Sequence, residues 1–419
     1  MIKKRSLLSD GVLIGGLQGL SALGQLTGIR LLTDILSPTV FGEISLWMGA
    51  VALISTGIAN PTMQALLRYY PEYAQLGQGA MVKAVARQQL CKLILWFFPI
   101  LLIGVVEALN VGWGTISTMA ILLGIVTVEI IRIQNCAYLN AIRSHLAFSI
   151  WAVAESWSRP LLAYWLAVHL DATINSVLIG YFLASLATCV IMRQAVPRDP
   201  MINPDLSQQI LHKRFWQYTL PLLPLGILGW ASGMADRYMI AALLSPADAG
   251  FYVAIYGLAS RPVLIFGNIV ETVIRPVYQQ ALAEDNQKLA HRYLGKWVLV
   301  IIIGAFMIIN VTWLSHSWIA KVMLGEKYRN VSYLLPWIAG GYSLLVLSHV
   351  ANRVCYANGA TVSVLVIEGT GTLIAIASGL VCIYLWGLWG ATIAVSIYYG
   401  VQLIVAYCFA KPWLSAGIK

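Results

Sequence analysis

Residues 36–42 read LSPTVFG and residues 244–250 read LSPADAG, so one Leu-Ser-Pro-x-x-x-Gly pattern occurs twice, about half a chain length apart. Proline does not continue the helix that precedes it, and we expect the glycine to open the next helix after a tight turn. Two pairs of arginines repeat at almost the same offset: Arg30 with Arg237, and Arg68 with Arg275. The pattern predicts a chain built from two similar halves.

The composition places both halves in a membrane. Of the 419 residues, 59% are hydrophobic and 11% are charged, and the mean hydropathy is +0.77. Soluble domains carry about 25% charged residues. The six cysteines lie in apolar segments without CxxC spacing, so we expect neither a disulfide framework nor a metal site.

A membrane-spanning helix needs about 20 apolar residues. Twelve segments satisfy this requirement, roughly 9–36, 40–67, 89–109, 113–141, 146–169, 173–194, 215–243, 249–274, 295–313, 332–356, 361–385 and 388–410. They predict an N-terminal lobe (1–198), a cytoplasmic connector (199–214) and a C-terminal lobe (215–419), each lobe with six spans. Because six is even, both lobes have the same orientation, and we expect an axis along the membrane normal to relate them, with the substrate site between them.

The loop charges predict the orientation. If the N-terminus is cytoplasmic, five of the six loops on the opposite side carry no lysine or arginine; the exception is 314–331, with Lys321, Lys327 and Arg329. This positive-inside asymmetry predicts that both termini are cytoplasmic. It also accounts for most of the net charge of +10, which argues against nucleic acid as a partner.

The six-plus-six arrangement, the two LSPxxxG turns, the polar segment after RYYPEYA (68–74) and VMLGEKYRN (322–330) together resemble the polysaccharide flippases of the MOP superfamily, the Wzx or PST type. The resemblance covers the whole chain. It implies an all-α polytopic membrane protein with two six-helix lobes around a central cavity. It also implies that the protein flips an undecaprenyl-diphosphate-linked oligosaccharide, such as the O-antigen unit of lipopolysaccharide, across the bacterial inner membrane by alternating access.

Ionisable residues inside spans are candidate functional residues, because a charge in a bilayer is costly. Arg261 and Arg159 lie nearest to mid-depth and are the first candidates to hold the diphosphate, since a guanidinium fork matches phosphate oxygens. The further candidates are the repeat-related pair Arg30 and Arg237, followed by Arg68, Arg275 and Arg353.

Each arginine also has a structural interpretation. Three of them share a helix face with an acid four residues away, which would neutralise them: Arg30 with Asp34, Arg159 with Glu155, and Arg275 with Glu271. Arg261 has an acid on another helix, such as Glu368, as an alternative partner. Arg68 and Arg353 lie near cytoplasmic span ends, where positive-inside placement and snorkelling explain them. Both interpretations stay open at this point.

Three acids are candidates for coupling transport to H⁺ or Na⁺: Glu368, Glu155 and Asp34. Trp157, beside Arg159, is the candidate for stacking on a sugar. Glycines recur in the first span at 11, 15, 19, 24 and 28, which favours close helix packing, with hinge bending as the alternative.

The expected partners are the bilayer, a polyprenyl-diphosphate-linked oligosaccharide and other polysaccharide assembly proteins. We expect no cofactor and no enzyme activity, because GxxxxGK[ST], HExxH and GxSxG are absent from the sequence. Two alternatives stay open. A MATE-like ion-coupled drug or cation antiporter would need cavity acids without arginine partners, and a membrane-embedded glycan polymerase or ligase would need a large periplasmic loop.

Overall fold

The computed structural model describes residues 7–110, 115–196, 206–284, 286–358 and 360–415, which form helices joined by short connections and no strand. In chain order the helices are α1 (Leu7–Ile35), α2 (Pro38–Gln75), α3 (Gly79–Asn110), α4 (Ile116–Ala141), α5 (His145–His169), α6 (Ile174–Ala195), α7 (Leu206–Thr219), α8 (Leu223–Leu243), α9 (Pro246–Ala283), α10 (Gln287–Met323), α11 (Leu335–Ala357) and α12 (Thr361–Ser415). Two 3-10 segments, Leu220–Leu222 and Glu326–Leu334, precede α8 and α11. Of the described helical segments, seven are long and apolar enough to cross a membrane, judged by length and composition.

Eleven of the twelve predicted spans correspond to single described helices, two of them to the two parts of α12, whereas the predicted span 215–243 begins in α7 and continues through the 3-10 segment Leu220–Leu222 into α8. Gly387 (φ 59°, ψ −138°) leaves the helical conformation and divides α12 into 361–386 and 388–415. Glycine adopts a positive φ without the steric cost of a Cβ, so the chain reverses there. The expected all-α multi-span membrane architecture, including this break, is confirmed.

Several helices extend beyond the predicted spans. α2 reaches Gln75, α9 reaches Ala283 and α10 reaches Met323, so the interpretation of 314–331 as a loop was wrong for residues 314–323. Polar side chains end the apolar segment by which a span is predicted. They do not interrupt the backbone hydrogen bonds, so the helix continues through them. α10 ends only where Leu324 becomes extended, just before Gly325.

The helices form two compact units. The first unit contains the described residues up to Gly28 and from Ile44 to Trp230, and the second contains Ile29–Glu43 and the described residues from Ala231 onward. The predicted boundary at residue 198 lies outside the described residues, and the division into lobes stays a prediction. LSPTVFG falls in the same unit as LSPADAG.

Both LSPxxxG segments form the same helix-to-helix turn. The prolines are the first residues of α2 and α9, where the missing N–H costs no hydrogen bond. Ser37 Oγ accepts from the Val40 N–H at 3.3 Å, and Ser245 Oγ accepts from the Asp248 N–H at 3.1 Å. The glycines lie inside the helices, so the expectation that they open them was wrong: serine and proline perform that role.

The two turns pack against each other through their glycines, both buried. A Cβ placed on Gly42 would overlap the Pro246 carbonyl oxygen, and a Cβ placed on Gly250 would overlap the Pro38 carbonyl oxygen. Such close approach of two backbones requires residues without a side chain. The two copies of the repeat therefore meet within the second unit.

The 322–330 segment is fastened to the first turn. The Gly325 N–H donates to Thr33 Oγ1 at 3.0 Å, and the Tyr328 hydroxyl donates to the Leu36 carbonyl oxygen at 3.3 Å. The fully buried Tyr328 ring lies edge-on to two phenylalanine rings, Phe41 at 5.8 Å and Phe251 at 5.7 Å. Three of the stretches that carry the family resemblance are thus in contact.

Close packing is confirmed at two of the α1 glycines. A Cβ on Gly24 would lie 2.7 Å from Trp157 Cδ1, and one on Gly28 would lie 2.6 Å from Pro160 Cβ. The packing interpretation was wrong for Gly15 and Gly19, which have nothing within 4 Å of a built Cβ, because α1 approaches α5 closely only toward its C-terminal end. The side-chain surroundings of residue 11 lie outside the described residues.

Gly42→Ala or Gly250→Ala should destabilise the protein by about 1–3 kcal/mol, because the added methyl group overlaps backbone that cannot rotate away. The measurement is thermal unfolding in detergent, followed by tryptophan fluorescence. Gly340→Ala in α11 is the matched control, since a Cβ there meets nothing within 4 Å. Equal melting temperatures for all three variants would contradict the packing interpretation.

Candidate functional site

Two glutamates and two arginines of α4 and α5 form a closed charge network in the first unit. Arg159 contacts Glu129 and lies 2.7 Å from Glu155. Arg132 lies 2.5 Å from Glu129 and 3.8 Å from Glu155. Arg159 Nε also donates to Ser185 Oγ of α6 at 2.7 Å. Both carboxylates are buried, and the two positive charges balance the two negative ones.

The sequence pairs Glu155 with Arg159 and Glu129 with Arg132 by helical spacing, and the structure joins these pairs into one network. The Arg159 side chain is 22% exposed, and the carboxylates of Glu129 and Glu155 compete with any anionic ligand for its guanidinium group. Trp157, the candidate sugar contact, donates from Nε1 to the Leu20 carbonyl oxygen at 3.0 Å. Its indole N–H is therefore used to hold α1 against α5.

In the second unit, Glu271 of α9 binds two arginines. Arg275 lies 3.0 Å from its Oε1, and Arg353 Nε of α11 donates to the same oxygen at 2.7 Å. The sequence offers Arg353 only His349 one turn away on its own helix. Its pairing with Glu271 was missed, because the spacing of residues in the sequence predicts contacts within one helix and not contacts between two helices.

Glu368 of α12 is held by amides. Asn352 Nδ2 donates to its Oε1 at 2.9 Å, and Gln402 Nε2 donates to its Oε2 at 3.1 Å. Among the described residues, Glu368 forms no ion pair within 4 Å, so it is not the partner of Arg261 that the sequence allows. Asn352 Oδ1 is buried and accepts no hydrogen bond from the described part of the chain. The two amides could not be foreseen from the sequence.

Arg237 is 7% exposed and lies among tyrosines. Its Cζ is 4.6 Å from the Tyr256 ring centroid, a cation–π contact. The adjacent Asp236 accepts from the Tyr252 hydroxyl at 2.8 Å. The Tyr256 hydroxyl bonds the Tyr342 hydroxyl, which extends the network to α11. The tyrosine side chains were missed, although the spacing of Tyr252 and Tyr256 places both on one face of α9.

The remaining candidates are more accessible. Arg30 lies 3.1 Å from Asp34, as the helical spacing predicts, with 32% and 55% of their side chains exposed. Arg68 is exposed and lies within cation–π distance of Tyr69 (5.9 Å) and Tyr218 (5.7 Å). Arg261 is partly buried in α9, which continues through Pro262 without a break.

The structure therefore groups the candidates by unit. Arg68, Arg159, Glu155 and Trp157 lie in the first unit, and Arg30, Asp34, Arg237, Arg261, Arg275, Arg353 and Glu368 lie in the second. In the first unit the described ion pairs form the four-residue network, whereas the second unit combines ion pairs, an aromatic environment and an amide-bound carboxylate. The two units therefore differ in the side chains that surround their buried charges.

Long apolar helices that carry buried charges define the protein as a multi-span membrane protein, and its fold is that of MOP-superfamily transporters. It is similar to an inward-facing multidrug resistance MATE family transporter (15% identity, 96% of this chain and 95% of that chain, TM-score 0.70). It is similar to the lipid II flippase MurJ in an inward closed conformation (13% identity, 96% and 87%, TM-score 0.73). It is also similar to a MOP superfamily transporter from Pyrococcus furiosus (15% identity, 98% and 95%, TM-score 0.62).

The family model described as polysaccharide biosynthesis protein matches residues 116–333, and the chain belongs to this family. No curated protein matches the chain in sequence. The resemblance to MOP-superfamily polysaccharide flippases is thereby confirmed for fold and family.

Arg159→Met should destabilise the first unit by about 3 kcal/mol, because it leaves two buried carboxylates with one arginine. Adding Glu155→Gln should recover part of this loss, since the remaining charges then balance. Chemical unfolding in detergent micelles measures both effects. Arg193→Met, at an exposed position of α6, is the control, and a loss no greater than in this control would show that the network is not structural.

Proposed function

We propose that the protein flips an undecaprenyl-diphosphate-linked oligosaccharide, the repeat unit of O-antigen or another surface polysaccharide, from the cytoplasmic to the periplasmic leaflet. It acts in the bacterial inner membrane with both termini cytoplasmic, by alternating access and without enzyme chemistry. The polysaccharide assembly proteins that supply and consume this lipid are its expected partners.

The observation that carries the proposal is membership of the polysaccharide biosynthesis family together with a fold shared with a flippase whose named cargo is lipid II. Polysaccharide precursors that cross a membrane on a lipid carrier need a path for a polar headgroup through hydrocarbon. A MOP-type fold with buried arginines meets that need, because an anionic headgroup requires cations inside the membrane.

Arginines are assigned to the diphosphate, with Arg261 first because it lies near the middle of α9. Arg159, Arg30, Arg237, Arg68, Arg275 and Arg353 are the further members of this set. Guanidinium groups donate two parallel hydrogen bonds to phosphate oxygens, which an ammonium group does not reproduce.

Arg261→Ala should lower translocation about 10- to 100-fold, because a charged hydrogen bond contributes about 1.5–3 kcal/mol. Arg261→Lys should recover part of the rate, since it keeps the charge and loses the fork. The measurement is restoration of surface polysaccharide in cells that lack the native gene, at matched protein levels. Arg292→Ala, exposed on α10, should behave as wild type. Wild-type export by Arg261→Ala would remove Arg261 from the site.

The coupling ion, H⁺ or Na⁺, is assigned to Glu368 ahead of Glu155 and Asp34. Glu155 is bound by Arg159 at 2.7 Å and Asp34 by Arg30 at 3.1 Å, so an ion that binds either carboxylate competes with an arginine. Glu368 is bound by neutral amides, and the nearby Arg353 is engaged by Glu271 at 2.7 Å. A carboxylate without an arginine partner gains and loses a cation at a lower cost.

Glu368→Gln should abolish the dependence of transport on the ion gradient, because glutamine keeps the side-chain size and one acceptor oxygen but has no carboxylate to take up a proton or balance a sodium ion. The assay is cargo translocation in liposomes with an imposed proton or sodium gradient, which also identifies the ion. Glu284→Gln, exposed at the end of α9, is the control. A Glu368→Gln protein that still responds fully to both gradients would exclude this residue.

An ion-coupled drug or cation antiporter is the second candidate. It is favoured by similarity to a multidrug resistance MATE transporter and by the unpaired carboxylate of Glu368. The family match favours the polysaccharide cargo. Expression in a drug-sensitive strain separates the two, since the antiporter alone raises drug tolerance.

A further inference from the structure

One carboxylate of the second unit holds two arginines that come from different helices. Glu271 and Arg275 are one helical turn apart on α9, and Arg353 lies near the end of α11. Arg275 Nη1 lies 3.0 Å from Glu271 Oε1, and Arg353 Nε donates to the same oxygen at 2.7 Å. Because both distances end on one oxygen, the two guanidinium groups lie close together. We call these three residues the Glu271 cluster.

The Glu271 cluster carries more positive than negative charge. Its two arginines share a single carboxylate, and among the described residues no other acid forms an ion pair with either of them. The network of the first unit differs, because its two arginines are balanced by two glutamates, Glu129 and Glu155. A second anion would therefore neutralise a positive charge that remains in the Glu271 cluster, whereas the first unit offers no such excess.

The two arginines are accessible to a ligand. The side chains of Arg275 and Arg353 are 39% and 31% exposed, whereas that of Glu271 is 16% exposed. A cleft between α9, α10 and α11 opens beside Glu271, with Asn268 and His349 among its lining residues. An arginine has five N–H donors, and Glu271 engages one donor of Arg275 and two of Arg353. Donors of both guanidinium groups therefore remain for an anion.

The position of the cluster along α9 matches the depth of lipid headgroups. At 1.5 Å per residue, Arg275 is separated from the LSPADAG turn by a rise of roughly 40 Å along the helix. The hydrocarbon core of a bilayer is about 30 Å thick, so a helix that starts at one membrane surface carries Arg275 to the other. On the predicted orientation this end of α9 faces the cytoplasm, the side from which the proposed cargo enters.

We propose that Glu271 is an internal competitor for a diphosphate: it holds Arg275 and Arg353 while the site is empty, and the two arginines exchange it for the diphosphate when that group enters. The inference rests on the proposed function and adds a regulation of its site. Guanidinium groups bind phosphate oxygens through paired hydrogen bonds, and a diphosphate presents oxygens on two phosphorus atoms, one for each arginine. The competing carboxylate weakens binding and thereby allows the ligand to leave.

Isothermal titration calorimetry of the purified protein in detergent tests the proposal, with farnesyl diphosphate and inorganic pyrophosphate as probes. Glu271→Gln should bind the diphosphate about 10-fold more tightly than wild type, because the competing charge is removed and both arginines remain. Arg353→Gln should bind it about 10-fold more weakly, since Glu271 then stays paired with Arg275. Glu284→Gln and Arg292→Gln, both at exposed positions, change the net charge by the same amounts and should bind as wild type.

An affinity of Glu271→Gln no higher than that of wild type, or an unchanged affinity of Arg353→Gln, would overturn the proposal. With the expected changes, a preference for farnesyl diphosphate assigns the exchange to a lipid headgroup, and equal affinities assign it to free diphosphate. Thermal unfolding confirms that the variants are folded. Arg353→Gln leaves one arginine with one acid, so it keeps the test valid if Glu271→Gln does not fold.

The binding measurement separates this proposal from the proposed function, because no transport is measured. Unchanged binding in both variants would reject the exchange at Glu271 and leave the flippase activity standing. A wild-type protein that translocates no lipid, with variants that bind as expected, would reject the flippase activity alone.

Discussion

The contact between Gly42 and Gly250 is the constraint on which the second unit depends. Each glycine packs against the carbonyl oxygen of the proline that begins the other helix. The first turns of α2 and α9 are therefore in direct backbone contact. Both prolines are the first residues of their helices, so the contact joins the first turns of α2 and α9. The Tyr328 hydrogen bond to Leu36 then fastens the 322–330 segment to the same place.

The two units neutralise their buried charges in different ways, and this difference gives them different chemical properties. In the first unit two acids and two bases satisfy one another, which stabilises α4, α5 and α6 as a group. Removing any member leaves an uncompensated charge. In the second unit Glu368 is solvated by Asn352 and Gln402, and amides satisfy both the ionised and the neutral form. A carboxylate that must gain and lose a cation during a transport cycle is therefore better placed among amides than among arginines.

Sequence reasoning predicts the features that depend on local chemistry. Hydropathy predicts the helices, and the LSPxxxG pattern predicts the turns, because proline and chain reversal act within a few residues. Helical spacing predicts Arg30 with Asp34 and Arg159 with Glu155. It does not predict Glu271 with Arg353, Glu368 with Asn352, or the meeting of the two turns, since these join residues far apart in the chain. The extensions of helices past the predicted spans were missed as well. Hydropathy shows where the side chains stop being apolar, but it does not show where the backbone hydrogen bonds of the helix stop.

The candidate arginines differ in the cost of leaving their present partners. This cost separates them better than their depth in the membrane does. If Arg159 turned to a phosphate, Glu129 and Glu155 would be left with Arg132 as their one cation. If Arg353 turned away, Glu271 would keep Arg275 at 3.0 Å. Arg237 rests on the Tyr256 ring and lies next to Asp236, so its release would give up a cation–π contact and remove a positive charge from beside that carboxylate. Release of Arg159 would therefore cost more than release of Arg353, because it would leave two buried carboxylates with a single cation.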